Sequence, residues 1–186
     1  MFILYAVAIG LVLGLVLGGR PAGLADLRIR WAWPMVAGFL AQVALFSAPV
    51  TDRIGTLGPP IYVASTAVVL AAIWMNRGIQ GMPIVAIGAT CNLSAIVANG
   101  GYMPADPAIM AALGRGDPTT YSNSAILPDP VLQPLTDIFV LPRWLPFTNV
   151  FSVGDVLIGI GVAIVIIAAM RRYSSSGDLP VGASPH

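Results

Sequence analysis

The stretch VGDVLIGIGVAIVIIAAM, residues 153–170, decides the class of fold. It holds one charged residue, Asp155, followed by fifteen residues with none. Roughly 20 apolar residues in a helix cross a hydrocarbon core about 30 Å thick, and this run has that character. Working outward, four more runs of the same kind lie at residues 2–19, 33–50, 60–75 and 82–98. Pro34, Pro60 and Pro83 stand near the starts of three of them, where a missing N–H removes only an orphan donor. The expected fold is an all-α membrane protein of about five transmembrane helices. A partly structured extracytoplasmic loop, residues 99–152, joins helices four and five. Residues 1–173 form a single domain, and residues 174–186 a disordered cytoplasmic tail.

Composition points the same way. Hydrophobic residues make up 57% of the 186 and charged residues 9%, against about a quarter in a soluble domain. Mean hydropathy is +0.86. Nine Arg and eight Asp give a net charge of +1, with no Lys and no Glu, which leaves no basic face for nucleic acid. The bilayer is the expected partner, with other membrane subunits or a second copy of the chain beside it. Arg20, Arg28, Arg30, Arg77, Arg171 and Arg172 fall on one side of a five-span arrangement. Arg53, Arg115 and Arg143 fall on the other. The positive-inside rule then sets the N-terminus outside and the C-terminus in the cytoplasm. The first run lacks a basic n-region, so it reads as a retained helix rather than a signal peptide.

Small and polar residues recur at helical spacing. Gly10, Gly14 and Gly18 lie four apart, a face on which another helix can approach closely. Gly88, Asn92, Ala95 and Asn99 form one stripe of the fourth run, and Ser65, Val69, Ala72 and Asn76 one stripe of the third. Gln42 and Asn92 should point inward, because amides in hydrocarbon are costly unless paired. These stripes read either as interhelical hydrogen bonding or as the wall of a polar pocket. Asn99-Gly100-Gly101 leaves the fourth run through a turn that glycine permits, and Tyr102-Met103-Pro104 follows without a capping rationale. Ser152 and Asp155 have the three-residue spacing of a capping box, with Asp in place of Glu. Asp137 and Asp155, with Arg143 nearby in sequence, offer a small acidic or ion-paired site. Asp106-Pro107 opens a short capped helix through Gly114, Gly116-Asp117-Pro118 reads as a turn, and Leu127-Pro128-Asp129-Pro130 as extended chain. No internal His is available for haem or metal, so the sequence assigns no cofactor; a quinone or lipid in a groove is compatible with it. Cys91 reads as a small buried apolar residue.

Taken together, several runs resemble an uncharacterised bacterial family of integral-membrane proteins classed as a domain of unknown function. The matching features are Gly19-Arg20, Leu24-Ala25-Asp26-Leu27-Arg28, Gln42, Asn76, Asn92, the run Ala98-Asn99-Gly100-Gly101-Tyr102-Met103-Pro104, Asp137, and Phe151-Ser152-Val153-Gly154-Asp155. The resemblance implies a bacterial cytoplasmic membrane and carries no activity with it. The first functional expectation is a non-enzymatic scaffold or accessory subunit of a membrane complex. The alternative is a protein that binds or transports a small molecule, lipid or ion at the outer end of the bundle. An enzyme using Asp137 and Asp155 as acid and base ranks below both.

Overall fold

The computed structural model describes residues 2–113, 124–146 and 148–176. Seven α-helices carry these residues: α1 Phe2–Val16, α2 Ala32–Leu45, α3 Ala48–Ile54, α4 Gly58–Met75, α5 Met82–Ala98, α6 Pro107–Ala112 and α7 Val153–Ser176. Helix thus occupies all five runs read as apolar. By length and composition, residues 49–75 and 153–172 are long and apolar enough to cross a membrane, while α1, α2 and α5 are shorter apolar helices.

Helix ends depart from the sequence expectation for identifiable reasons. The run at 33–50 is two helices. Pro49 offers no N–H to Leu45 and its ring opposes that carbonyl, so α2 ends at Leu45 and α3 starts at Ala48. The helix at 60–75 stops without a left-handed glycine. Asn76 ends it by folding its amide back onto the Ala72 carbonyl at 2.7 Å. The same side chain reaches the chain before α2, accepting from Arg30 N–H at 2.8 Å and donating to Arg30 O at 2.7 Å. At the C-terminus, α7 runs through Ser176, three residues into the expected tail; residues 177–186 lie outside the described residues.

The packed helix pairs are α1–α7, α7–α5, α5–α4 and α4–α2. Helix α7 therefore sits between α1 and α5. Glycine sets these distances. A Cβ on Gly88 would stand 2.5 Å from the Gly154 carbonyl oxygen, and one on Gly81 2.5 Å from that of Gly161. Backbones of α5 and α7 touch, antiparallel, at two points seven residues apart. On the other side of α7, Gly10 meets Ala163, Gly14 meets Met170, and Gly159 meets Phe2 and Ala6, so α1 and α7 run parallel. Gly38 of α2 packs on Ser65 and Val69 of α4. Gly18, expected on the packing face with Gly10 and Gly14, is not on it. The helix has ended, Gly18 has φ +78, and nothing stands within 4 Å of its Cβ position. Gly19 takes the contact with Met170 instead.

The described residues of 99–152 form a lid over one end of this row. Among the described residues four two-residue strands organise it. β1 Met103–Pro104 pairs in parallel with β2 Ser124–Ala125, and β3 Phe139–Val140 pairs antiparallel with β4 Val150–Phe151. An isolated bridge joins Ala105 to Asp137, so Asp137 lies along the free edge of β1. Asp106 caps α6 as expected, accepting from Ala108 N–H at 2.8 Å and Ile109 N–H at 3.1 Å. The chain at 127–130 bends rather than extends, and the turn expected at Gly116-Asp117-Pro118 lies outside the described residues. Phe2 stacks on Phe151, with ring centroids 4.7 Å apart, and Tyr5 donates to the Pro146 carbonyl. The start of α1 is thereby tied to the lid.

Candidate functional site

Beneath the lid, α5 and α7 bring three polar side chains into one closed network. Ser152 Oγ accepts from Asp155 N–H at 3.1 Å, and Asp155 Oδ2 accepts from Ser152 N–H at 3.1 Å. This is the reciprocal capping box anticipated from the spacing. Asn92 of α5 completes it: its Nδ2 donates to Asp155 Oδ1 at 2.9 Å, and its Oδ1 accepts from Ser152 Oγ at 2.8 Å. The network forms because Gly154 has no side chain; a Cβ there would stand 1.9 Å from Asn92 Oδ1. Ser152 is fully buried, and its hydroxyl is engaged on both sides. Every buried side-chain nitrogen and oxygen among the described residues has a partner.

Asp137 approaches from the lid. Its backbone is locked to β1, with N–H donating to Pro104 O at 2.9 Å and its carbonyl accepting from Asp106 N–H at 3.2 Å. The side chain is buried and takes a long bond of 3.4 Å from Ser124 Oγ. Burial pushes its pKa from 3.8 up to about 7, the charge of Asp155 adds to the rise, and the Ser124 bond opposes it. The neutral and ionised forms therefore coexist near neutral pH.

Asp137 and Asp155 face a common cavity of about 850 Å³. Its wall runs from Ser124, Asp137, Asn149 and Val150 at the lid to Ile29, Met35 and Met82 near the other end of the bundle. The long middle section is apolar, built from Val69, Ile73, Val85, Ala89, Ile158 and Val162. Gln42 and Asn92 are both on the wall, as is Thr66, to which Gln42 Nε2 donates at 3.1 Å. Among the described residues the two aspartates are its only charged ones. Arg143 is exposed and lines a separate shallow pocket with α6 and β3 residues. The ion-paired site with Arg143 is accordingly not formed on this wall.

The remaining candidate residues do other work. Asn99 donates to Ala95 O and Val131 O, each at 2.8 Å, and accepts from Val131 N–H at 2.8 Å. It pins the lid to the end of α5 and is not on the cavity wall. Gly100 and Gly101 adopt φ of +71 and +92. Gly101 N–H closes onto Ile96 O at 2.8 Å, and a Cβ on Gly101 would stand 2.4 Å from Pro59. The turn feeds Met103 and Pro104 into the buried centre of the lid, which accounts for the residues a helix cap left unexplained. Cys91 is half-buried rather than buried. Among the described residues no three His, Cys, Asp or Glu gather as metal ligands.

Sequence reasoning missed Thr66, Ser124 and Asn149 on the wall. Thr66 neighbours the predicted stripe, and its hydroxyl bonds back to Tyr62 O, a local pairing that spacing does not distinguish from a site. Ser124 and Asn149 come from loop segments whose position depends on strand pairing.

Fold and site define a predominantly helical protein whose lid closes over a mainly apolar cavity with an acidic end. The chain belongs to the family of unknown function DUF5317, whose model matches residues 26–167. That match takes in Asn92, Asp137, Ser152 and Asp155 and leaves out α1 with Gly19, Arg20, Leu24 and Ala25. Neither a curated protein nor a solved structure shows a significant match to the chain.

Proposed function

We propose that this chain is a five-span membrane protein that binds an amphipathic small molecule in the cavity beneath its lid. Large apolar side chains turned outward support the membrane part of this reading. Val12, Val16, Leu40, Val43 and Ile87 are each more than half exposed, on three different helices, an arrangement that water penalises and lipid does not. Trp31, Trp33 and Trp74 are exposed at one end of the bundle and Trp144 at the other, where aromatic belts meet the two headgroup layers. Parallel packing of α1 on α7 fits an odd number of crossings. At the end away from the lid, Arg20 N–H bonds to Met170 O beside Arg171, and Asn76 holds Arg30 beside Arg77. By the positive-inside rule this end is cytoplasmic and the lid extracytoplasmic, in a bacterial inner membrane.

The observation that carries the binding reading is the cavity itself. Its volume lies within the roughly 300–1,000 Å³ typical of small-molecule sites, and it combines an apolar body with a few convergent polar groups. A scaffold or accessory subunit gives no reason for such a space, so binding takes precedence over that role. Ala89 is buried and on the wall, and Ala89→Trp fills the space there. Purified from membranes in mild detergent, the wild-type chain should carry a co-purifying small molecule detectable by native mass spectrometry, and the variant should not. An empty wild-type chain across several detergents and host lipids would count against the reading.

A further inference from the structure

The shape and charge of the cavity also say which end of a ligand goes where and how it enters. The helices pack in a row, α1–α7–α5–α4–α2, and the two ends of that row are not packed along each other. Both ends nevertheless line the cavity, Phe2 and Ile3 from α1 and Phe39 and Gln42 from α2. The row therefore curls into an arc around the space, with its seam between α1 and α2. Phe39 lies on the wall and is also 53% exposed, so the seam communicates with the outside of the bundle at mid-helix depth.

We infer, on the binding reading above, that the cavity takes a single-chain amphiphile with an ammonium head, entering from the bilayer between α1 and α2 and seating its head against Asp137 and Asp155. The elongated apolar section accepts one hydrocarbon chain along the bundle axis. At the lid end the groups facing Asp137 are Asp155 from α7 and Ser124 from β2, with Asn92 from α5 and Asn149 before β4 also on the wall. Among the described residues no cation stands on this wall to answer two carboxylates. An ammonium head supplies a counter-charge beside the two carboxylates, while an anionic head would add a further negative charge in a desolvated site.

Native mass spectrometry of the purified full chain tests this at pH 8 with an equimolar mixture of dodecylamine, 1-dodecanol and dodecanoic acid in a neutral maltoside detergent. Dodecylamine adducts should exceed those of the other two by about tenfold, the effect of roughly 1.4 kcal/mol from a close charge pair. Asp137→Asn should bring the preference to within about twofold while keeping adduct formation, since the apolar wall is intact. Ala89→Trp, or Val162→Trp if that variant does not fold, should remove adducts of all three. Equal binding of the three probes by wild type, still blocked by the tryptophan, would overturn ammonium selection and leave the cavity reading standing. Adducts indifferent to both tryptophans in folded protein would overturn the cavity reading and this one with it. Bulky substitution at the seam tests entry: Phe39→Trp should slow dodecylamine uptake from preloaded vesicles severalfold, and an unchanged rate would overturn entry at the seam.

Discussion

At the scale of single residues, Asn92 and Asp137 do different things at one end of one cavity. Asn92 uses both atoms of its amide to join the capping box of α7 to α5, so Asn92→Ala leaves the buried Ser152 hydroxyl and one Asp155 oxygen without their partner. The expected loss is about 1–3 kcal/mol, read as a lowered thermal midpoint in detergent. Asp137 makes stability depend on pH. Folded, it keeps its proton up to about 7; unfolded, only to about 3.8. Below 3.8 both states are protonated, and above 7 neither is. Between those values only the folded state holds the proton, so stability falls as pH rises through that window. The fall is a few kcal/mol by linkage, at about 1.4 kcal/mol per pH unit. Denaturant titrations at pH 5 and pH 8 should show it in wild type, and Asp137→Asn should reduce the difference. Spacing alone revealed the Ser152–Asp155 box, because a capping box is local. It offered Asp137 and Asp155 as an acidic pair but could not place them on one cavity, because the bridge from Ala105 to Asp137 joins residues 32 apart in sequence.

At the scale of elements, glycine placement decides which helices can touch. Gly88 and Gly154 meet backbone to backbone, so Gly88→Ala forces α5 and α7 apart, with nothing flexible to yield. The expected cost is about 1–3 kcal/mol or more. Gly14 meets the far end of the Met170 side chain, which can swing away, so Gly14→Ala should cost less than about 1 kcal/mol. Equal effects of the two in thermal unfolding would refute this ordering. The four-residue glycine spacing in α1 was legible, but its third member was not on the helix at all. Sequence periodicity assumes the helix continues, whereas Gly18 already stands in the left-handed turn that ends it.

For the whole molecule, the order of packing follows from the lid. The described residues of 99–152 lie over the end of the bundle where α5 finishes and α7 begins, and α7 enters between α1 and α5 rather than beside α5 alone. Parallel α1 and α7 set the two ends of the bundle apart. A membrane-impermeant label should reach a reporter at the N-terminus from outside intact cells and a C-terminal reporter only after permeabilisation. Both termini labelling together would remove the five-span reading.

Apolar run length and composition determined the positions of the long helices, since each run must bury backbone hydrogen bonds within itself wherever water is scarce. Local spacing determined the caps at Asp106 and Ser152. Tertiary structure alone decided that α7 lies between α1 and α5, that Asp137 meets Asp155 across a cavity, and that Asn99 braces the lid instead of joining them. Those outcomes depend on contacts between residues far apart in the chain, chosen by which small side chains let two backbones approach.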